Sequence, residues 1–148
     1  MKKGQAMRAE MLTAVAAILM AVVMFGSQAE DLSPRGTARA MKNLSAVIDA
    51  CTRNGTIPVL ATIPPAGPER NAQKDVQRFN KALVRLCRSK KVPISYCFEE
   101  IMAADLDKAF SEDGLSLSPQ GYLLAGKALR RTFEQIYFAI RDTSATVR

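Results

Sequence analysis

The stretch TIPVLATIPP, residues 56–65, restricts the fold more than any other part of this sequence. Residues 57–63 form a nearly continuous apolar run, which two prolines end. A short apolar run between turn residues is typical of a parallel strand covered on both faces. Amphipathic helical patterns lie on either side of it, over residues 34–53 and 68–90. This order predicts a parallel sheet packed between two layers of helices.

The remaining elements fit the same scheme. Pro34 suits the first turn of the first helix, and Asn54-Gly55 suits a left-handed cap at its end. Residues 92–97 are predicted to form a short strand, and residues 98–110 a helical turn and a loop. A last helix is predicted from Ser118 to about Asp142, with Tyr122 on its apolar side. The fold class is therefore α/β, a three-layer α/β/α arrangement with a small parallel sheet.

The N-terminal part allows two interpretations. Its basic start, its apolar run over 11–25 and the small residues Ser27 and Ala29 resemble an export signal cleaved after Ala29. Alternatively, residues 1–17 hold a short helix, and residues 21–25 form a buried central strand of a domain over 18–142. The first interpretation implies export and the second a cytoplasmic protein. Residues 143–148, TSATVR, are predicted to be a disordered tail.

Composition excludes several classes of site. The 148 residues contain no histidine and three cysteines without CxxC spacing, so neither a metal site nor a disulfide framework is expected. No glycine-rich phosphate loop is present, and no cofactor is expected. The net charge of +7 permits an anionic partner without selecting one.

A stripe of cations follows the second helix at spacings of three and four residues. On a helix these side chains fall within an arc of about 80°. Such a stripe suits phosphates or an anionic membrane surface, but the favoured interpretation is the solvated face of an amphipathic helix in a basic protein. Because no aromatic residue interleaves the stripe, no nucleic-acid partner is expected. Its members are Arg70, Lys74, Arg78, Lys81, Arg85 and Arg88.

The order AVVMFGS, helix, IPVLATIPP, helix, DGLSLSPQGYLLAGKAL resembles the C-terminal two-thirds of SGNH/GDSL-type hydrolases, over roughly residues 18–140. The last block is the most specific, with Asp-Gly, a gap, then Pro-x-Gly-Tyr at the start of a helix. This resemblance implies a flavodoxin-like sheet and an ancestry of ester or acyl-ester hydrolysis. In that family a Gly-Asp-Ser block supplies the nucleophile, and one loop supplies an Asp and a His three residues apart.

When the family's motifs are compared with this sequence residue by residue, several catalytic positions differ. Asp113 matches the catalytic Asp, but Ser116 stands at the His position, and no Gly-Asp-Ser block occurs in the sequence. The asparagine block of the oxyanion hole becomes Gly26-Ser27-Gln28. Lys108 and Lys127 are conceivable bases for a Ser-Lys arrangement, although no spacing singles either out. These departures predict a catalytically impaired, pseudoenzyme-like domain.

Two further hypotheses follow from the same residues. In the first, the domain is a binding module whose cleft at the strand ends binds an acyl or sugar ester without cleaving it. If the family's first strand is absent, an exposed sheet edge would favour a homodimer. The loop also has an explanation without chemistry, because Asp113-Gly114 suits a turn and Ser118 a helix cap.

Overall fold

The computed structural model describes residues 20–23, 31–67, 72–114 and 116–146. Within these ranges, strands and helices alternate as the sequence predicts. The strands are β1 (Met20–Val23), β2 (Ile57–Ala61) and β3 (Ile94–Ser95). The helices are α1 (Pro34–Arg53), α2 (Gln73–Lys90), α3 (Cys97–Met102), α4 (Leu106–Ala109) and α5 (Pro119–Thr146).

The three described strands form one parallel sheet in the order β1-β2-β3. Val22 of β1 lies opposite Val59 of β2, and Leu60 of β2 lies opposite Ile94 of β3. The central position therefore belongs to β2, the strand within the apolar run 57–63. The small parallel sheet expected from the sequence is confirmed.

The first strand differs from its prediction. It was expected to be a buried central strand over 21–25, but it forms over Met20–Val23 at the outer side of the described sheet. Val22 is 45% exposed. An outer strand has a neighbour on one side only, so an all-apolar sequence does not ensure that both of its faces are covered. The cleavage site after Ala29 lies outside the described residues.

Helices cover both faces of the sheet, as the three-layer prediction requires. Successive strand residues point to opposite faces, so Leu60 and Ala61 lie in different apolar clusters. Leu60 packs with α1 and α2, in a cluster that includes Leu44, Ile48, Val76, Phe79 and Leu83. Ala61 packs with the later helices, in a cluster that includes Cys97, Ile101, Ala109, Ala125 and Ala128.

The ends of α1 follow from local sequence. The Gly36 N–H donates to Ser33 Oγ at 3.0 Å, which caps the first turn beside Pro34. At the other end Gly55 has φ +69°, and the N–H groups of Gly55 and Thr56 donate to Thr52 and Cys51. These two bonds define a Schellman cap, which satisfies carbonyls that the helix leaves free.

The last helix differs from its prediction in length and in its buried side. It continues past Asp142 to Thr146, so most of the stretch expected to be a tail is helical. Tyr122 was expected on the apolar side, but it is 62% exposed. The buried side consists of Ala125, Ala128 and Thr132. Leu124 and Leu129 pack beside these small side chains and are partly buried, whereas Tyr122 and Leu123 are exposed.

A carboxylate joins α5 to α3. Glu100 lies on α3, and its side chain is only 16% exposed. Its two oxygens are 3.2 Å from Lys127 Nζ and 2.6 Å from Arg131 Nη1, and both cations belong to α5. A largely buried carboxylate with two cationic partners fixes the packing of these helices more firmly than an exposed ion pair does.

Candidate functional site

The loop that carries Asp113 and Ser116 joins α4 to α5. Phe110 and Leu117 form an isolated antiparallel bridge across its base. Inside this bridge the Ser111 N–H donates to the Ser116 carbonyl at 2.9 Å. Gly114 turns the chain with φ +61°, a conformation that glycine adopts without steric cost. The Asp-Gly turn expected from the sequence is therefore present.

Asp113 and Ser116, the two positions expected to mark the site, are in direct contact. The Ser116 N–H donates to Asp113 Oδ1 at 2.9 Å. The Ser116 hydroxyl donates to Asp113 Oδ2 at 2.8 Å. Both side chains are exposed. The loop thus keeps an acidic residue bonded to the residue three positions later, but that residue is a hydroxyl and not an imidazole.

Ser118 and Gly121 fix the loop against the helix that follows. Ser118 Oγ accepts a hydrogen bond from the Gly121 N–H at 3.2 Å, as an N-cap does. A Cβ atom added at Gly121 would stand 2.2 Å from the Ala109 carbonyl oxygen. Only a glycine allows this approach of α5 to the end of α4.

The two lysines considered as bases are both engaged by carboxylates. Lys108 Nζ lies 3.1 Å from Asp105 Oδ2. Lys127 Nζ lies 3.2 Å from Glu100 on α3. Neither contact involves the Asp113–Ser116 pair.

Gly26, Ser27 and Gln28, expected at the oxyanion hole, lie outside the described residues. Across the described ranges, no group of three or more cysteine, aspartate or glutamate side chains is placed to hold a metal ion. A search of the same ranges also finds no helix with the length and apolarity that a membrane crossing requires.

A second polar feature, which the sequence analysis did not single out, lies where β2 ends. Asn80 of α2 is buried and bonds to both backbone groups of Ile63. Its Oδ1 accepts from the Ile63 N–H at 2.8 Å, and its Nδ2 donates to the Ile63 carbonyl at 2.9 Å. Asn80 is four residues after Val76 and three before Leu83, so a polar residue inside an apolar stripe was the available signal.

Thr62 extends this arrangement towards α3. Its hydroxyl is buried and accepts the Phe98 N–H at 2.9 Å. The same hydroxyl lies 3.4 Å from Glu99 Oε2. The segment after β2 is therefore held by side chains on both sides, by Asn80 from α2 and by the start of α3 through Thr62.

No protein-family model and no curated protein matches the sequence. Solved structures do match. A lipase/acylhydrolase from Enterococcus faecalis has a TM-score of 0.61 at 24% identity, covering 74% of this chain and 58% of its own. A GDSL-like lipase from Bacteroides thetaiotaomicron has a TM-score of 0.64 at 17% identity, covering 78% and 62%. A mutant acetyl-xylooligosaccharide esterase from Geobacillus has a TM-score of 0.58 at 13% identity, covering 76% and 58%.

These matches show a fold. The chain has the α/β fold of SGNH/GDSL-type hydrolases, which confirms both the resemblance and the fold class expected from the sequence. It spans about three-fifths of the length of these hydrolases, between 58% and 62% of each. At identities below 25%, likeness of fold does not carry activity with it.

Proposed function

We propose that this chain is an SGNH-hydrolase-like domain that does not hydrolyse esters by itself. The observation that carries the proposal is the Asp113–Ser116 pair, in which a hydroxyl stands where the fold's hydrolases require a base. The sequence contains no histidine and no Gly-Asp-Ser block. The SGNH-like fold supports the ancestry, and the pair supports the loss of activity.

The proton chemistry of the pair explains the expected inactivity. Serine-based acyl transfer needs a group that accepts the nucleophile's proton and returns it to the leaving group. The Ser116 hydroxyl already donates to Asp113 and does not accept a proton near neutral pH. The Asp113 carboxylate is itself engaged, because it accepts the hydrogen bonds of the Ser116 N–H and hydroxyl.

The test measures ester hydrolysis by the purified chain with p-nitrophenyl acetate and with a fluorophosphonate probe for active serines. We expect no turnover above buffer and no labelling. A Ser116→His variant should also be inactive, because it restores the base position without supplying a nucleophile. Inhibitor-sensitive turnover by the unmodified chain would overturn the proposal, and turnover only in Ser116→His would show that a nucleophile is present.

A second candidate function is a binding module for a small acyl or sugar ester. It is favoured by the segment after β2, because Asn80 and Thr62 hold the end of the central strand where α/β folds bind ligands. Thermal-shift titration with acetylated sugars and short acyl esters tests this. A ligand that raises the melting temperature without being consumed supports binding, and the absence of any shift at millimolar concentration counts against it.

The expected homodimer stays a prediction. Within the described sheet β1 is an outer strand, and such an edge offers backbone groups to a second copy. Sedimentation velocity over a range of concentrations decides between a monomer and a dimer. A Val22→Lys variant should weaken any dimer that forms through this edge, because it places a charge on the exposed side of β1.

A further inference from the structure

A groove of about 590 Å³ lies between α2 and the segment that follows β3. One wall carries three cations from α2, and the other carries aromatic side chains and one carboxylate. The residues that define it are Lys81, Arg85, Arg88, Tyr96, Phe98 and Glu99. Neither Asp113 nor Ser116 lines it, so this groove is separate from that pair, whereas Asn80 at the end of β2 belongs to its lining.

The cations of the predicted stripe differ in whether they have an ion-pair partner among the described residues. Arg78 donates to the Leu32 carbonyl at 2.8 Å and to Asp75 at 2.6 Å, so its charge is committed to the fold. Asp75 therefore neutralises this member of the stripe. Lys81, Arg85 and Arg88 are exposed, and none of them forms an ion pair within the described part of the chain.

The three cations that line the groove lie along one side of α2. Their spacings of four and three residues place them on one side of α2, over about 10 Å of helix axis at 1.5 Å per residue. Facing them, Tyr96 is 43% exposed. The sequence analysis found no aromatic residue within the stripe. The structure supplies one from a different element, immediately after β3.

One groove residue would repel an anionic ligand. Glu99 places a carboxylate in the groove, although its Oε2 lies 3.4 Å from the buried Thr62 hydroxyl. The defining charges are thus three cations and one anion, and the balance remains positive. A ligand with several anionic groups along its length would meet the cations on α2, while a flat ring beside those groups would meet Tyr96.

We propose that this groove binds single-stranded nucleic acid, with phosphates on Lys81, Arg85 and Arg88 and a base stacked on Tyr96. A positively charged groove beside exposed aromatic side chains is the arrangement that single-strand binders use. The net charge of +7 adds a long-range attraction for such a polyanion. Binding of this kind follows phosphate contacts and stacking, so it should show little preference for sequence.

The first experiment measures fluorescence anisotropy of a labelled oligothymidylate of about 12 nucleotides, a length within the range of single-strand sites. For three phosphate contacts, log K against log salt should have a slope of about −2. The groove variant Lys81→Glu, Arg85→Glu, Arg88→Glu should lose at least about 10-fold in affinity at low salt. A charge-matched control, Lys42→Glu, Arg53→Glu, Lys74→Glu, changes exposed cations that do not line the groove.

The control should retain most of the affinity. An equal loss in both triple variants would overturn the proposal, because it would mean that net charge and not the groove attracts the oligonucleotide. The absence of measurable binding at low salt would also overturn it, and the cations would then be only the solvated face of a helix. Circular dichroism of both variants distinguishes loss of binding from loss of folding.

The second experiment separates stacking from charge. Tyr96→Ala should weaken binding by about 5-fold or more without changing the salt slope, and Tyr96→Phe should retain it, because stacking uses the ring. Glu99→Gln should strengthen binding, whereas Glu112→Gln, an exposed position outside the groove, should leave it unchanged. A Tyr96→Ala variant that binds normally would overturn the proposal. So would a free nucleoside diphosphate that binds as tightly as the oligonucleotide.

Discussion

The segment after β2 and the loop before α5 are built in opposite ways. The first is buried, and Asn80 satisfies both backbone groups of Ile63 inside the core. The second is exposed at Asp113 and Ser116, which bond to each other within the loop. The first therefore depends on the core for its shape, whereas the outer part of the second is free to change. A catalytic residue in the exposed part can be lost without loss of the fold.

Removing the buried amide should have the largest effect. Asn80→Ala leaves a buried N–H and a buried carbonyl without partners, which costs about 2–4 kcal/mol of the free energy of unfolding. Asn43→Ala, at an exposed position of α1, should change stability by less than about 0.5 kcal/mol. Urea unfolding of both variants measures the difference. Equal small losses would mean that Asn80 does not hold the end of β2.

Alanine substitutions at two glycines of α5 should change the free energy of unfolding in opposite directions. Gly121→Ala places a Cβ 2.2 Å from the Ala109 carbonyl oxygen, and the forced separation of α5 from α4 should cost about 1–3 kcal/mol. Gly126 has no heavy atom within 4 Å of the added Cβ, so Gly126→Ala should stabilise the helix by about 0.5–1 kcal/mol. Thermal unfolding compares them. The same sign for both would show that the base of the exposed loop is less tightly packed than described.

The buried thiols should limit stability at high pH. Burial raises the pKa of Cys87 from 9.0 to about 11, since a thiolate is poorly solvated beneath α2. The folded state therefore keeps the proton more strongly, and stability should fall as pH rises from about 9 towards about 11. Urea unfolding across this range should show a shallower decline for Cys87→Ala. An unchanged slope would contradict the assignment.

The smallest effects are expected at the exposed pair. Asp113→Ala and Ser116→Ala each remove hydrogen bonds between exposed groups, so each should cost less than about 1 kcal/mol. Glu112→Ala, at an exposed neighbouring position, serves as the control. Unfolding midpoints measure all three. A loss above about 2 kcal/mol at either member of the pair would make the two regions alike and remove the contrast between them.

Sequence alone predicted what depends on local pattern. The alternation of elements, the place of Pro34 in the first turn of α1, the cap at Gly55 and the turn at Asp113-Gly114 all follow from residue types at fixed spacings. The outer position of β1 did not follow, because strand order depends on contacts between distant segments. The exposure of Tyr122 was missed since α5 buries its small residues instead, and small residues carry a weak hydrophobic signal.

The resemblance named Asp113 and Ser116 as site residues, and their role stays a prediction. The structure shows that the loop brings these two residues into contact. The groove beside α2 was not predictable from a helical pattern alone, because Tyr96 comes from a segment beyond the next strand. Arg78 could not be separated from its neighbours on α2 either, since its partner Leu32 is 46 residues away.

The ion pairs of Glu100 with Lys127 and Arg131 hold only part of α5, so two parts of this helix should differ in how readily they open. Lys127 and Arg131 are one turn apart and hold the same carboxylate, so this stretch of α5 should open only when α3 also separates. Beyond Arg131 the exposed Tyr137 and Phe138 contact each other, and Arg141 lies over the Phe138 ring. We expect amide exchange to be slower over the turns that Glu100 holds than over the turns beyond them, and so to be graded along a single continuous helix.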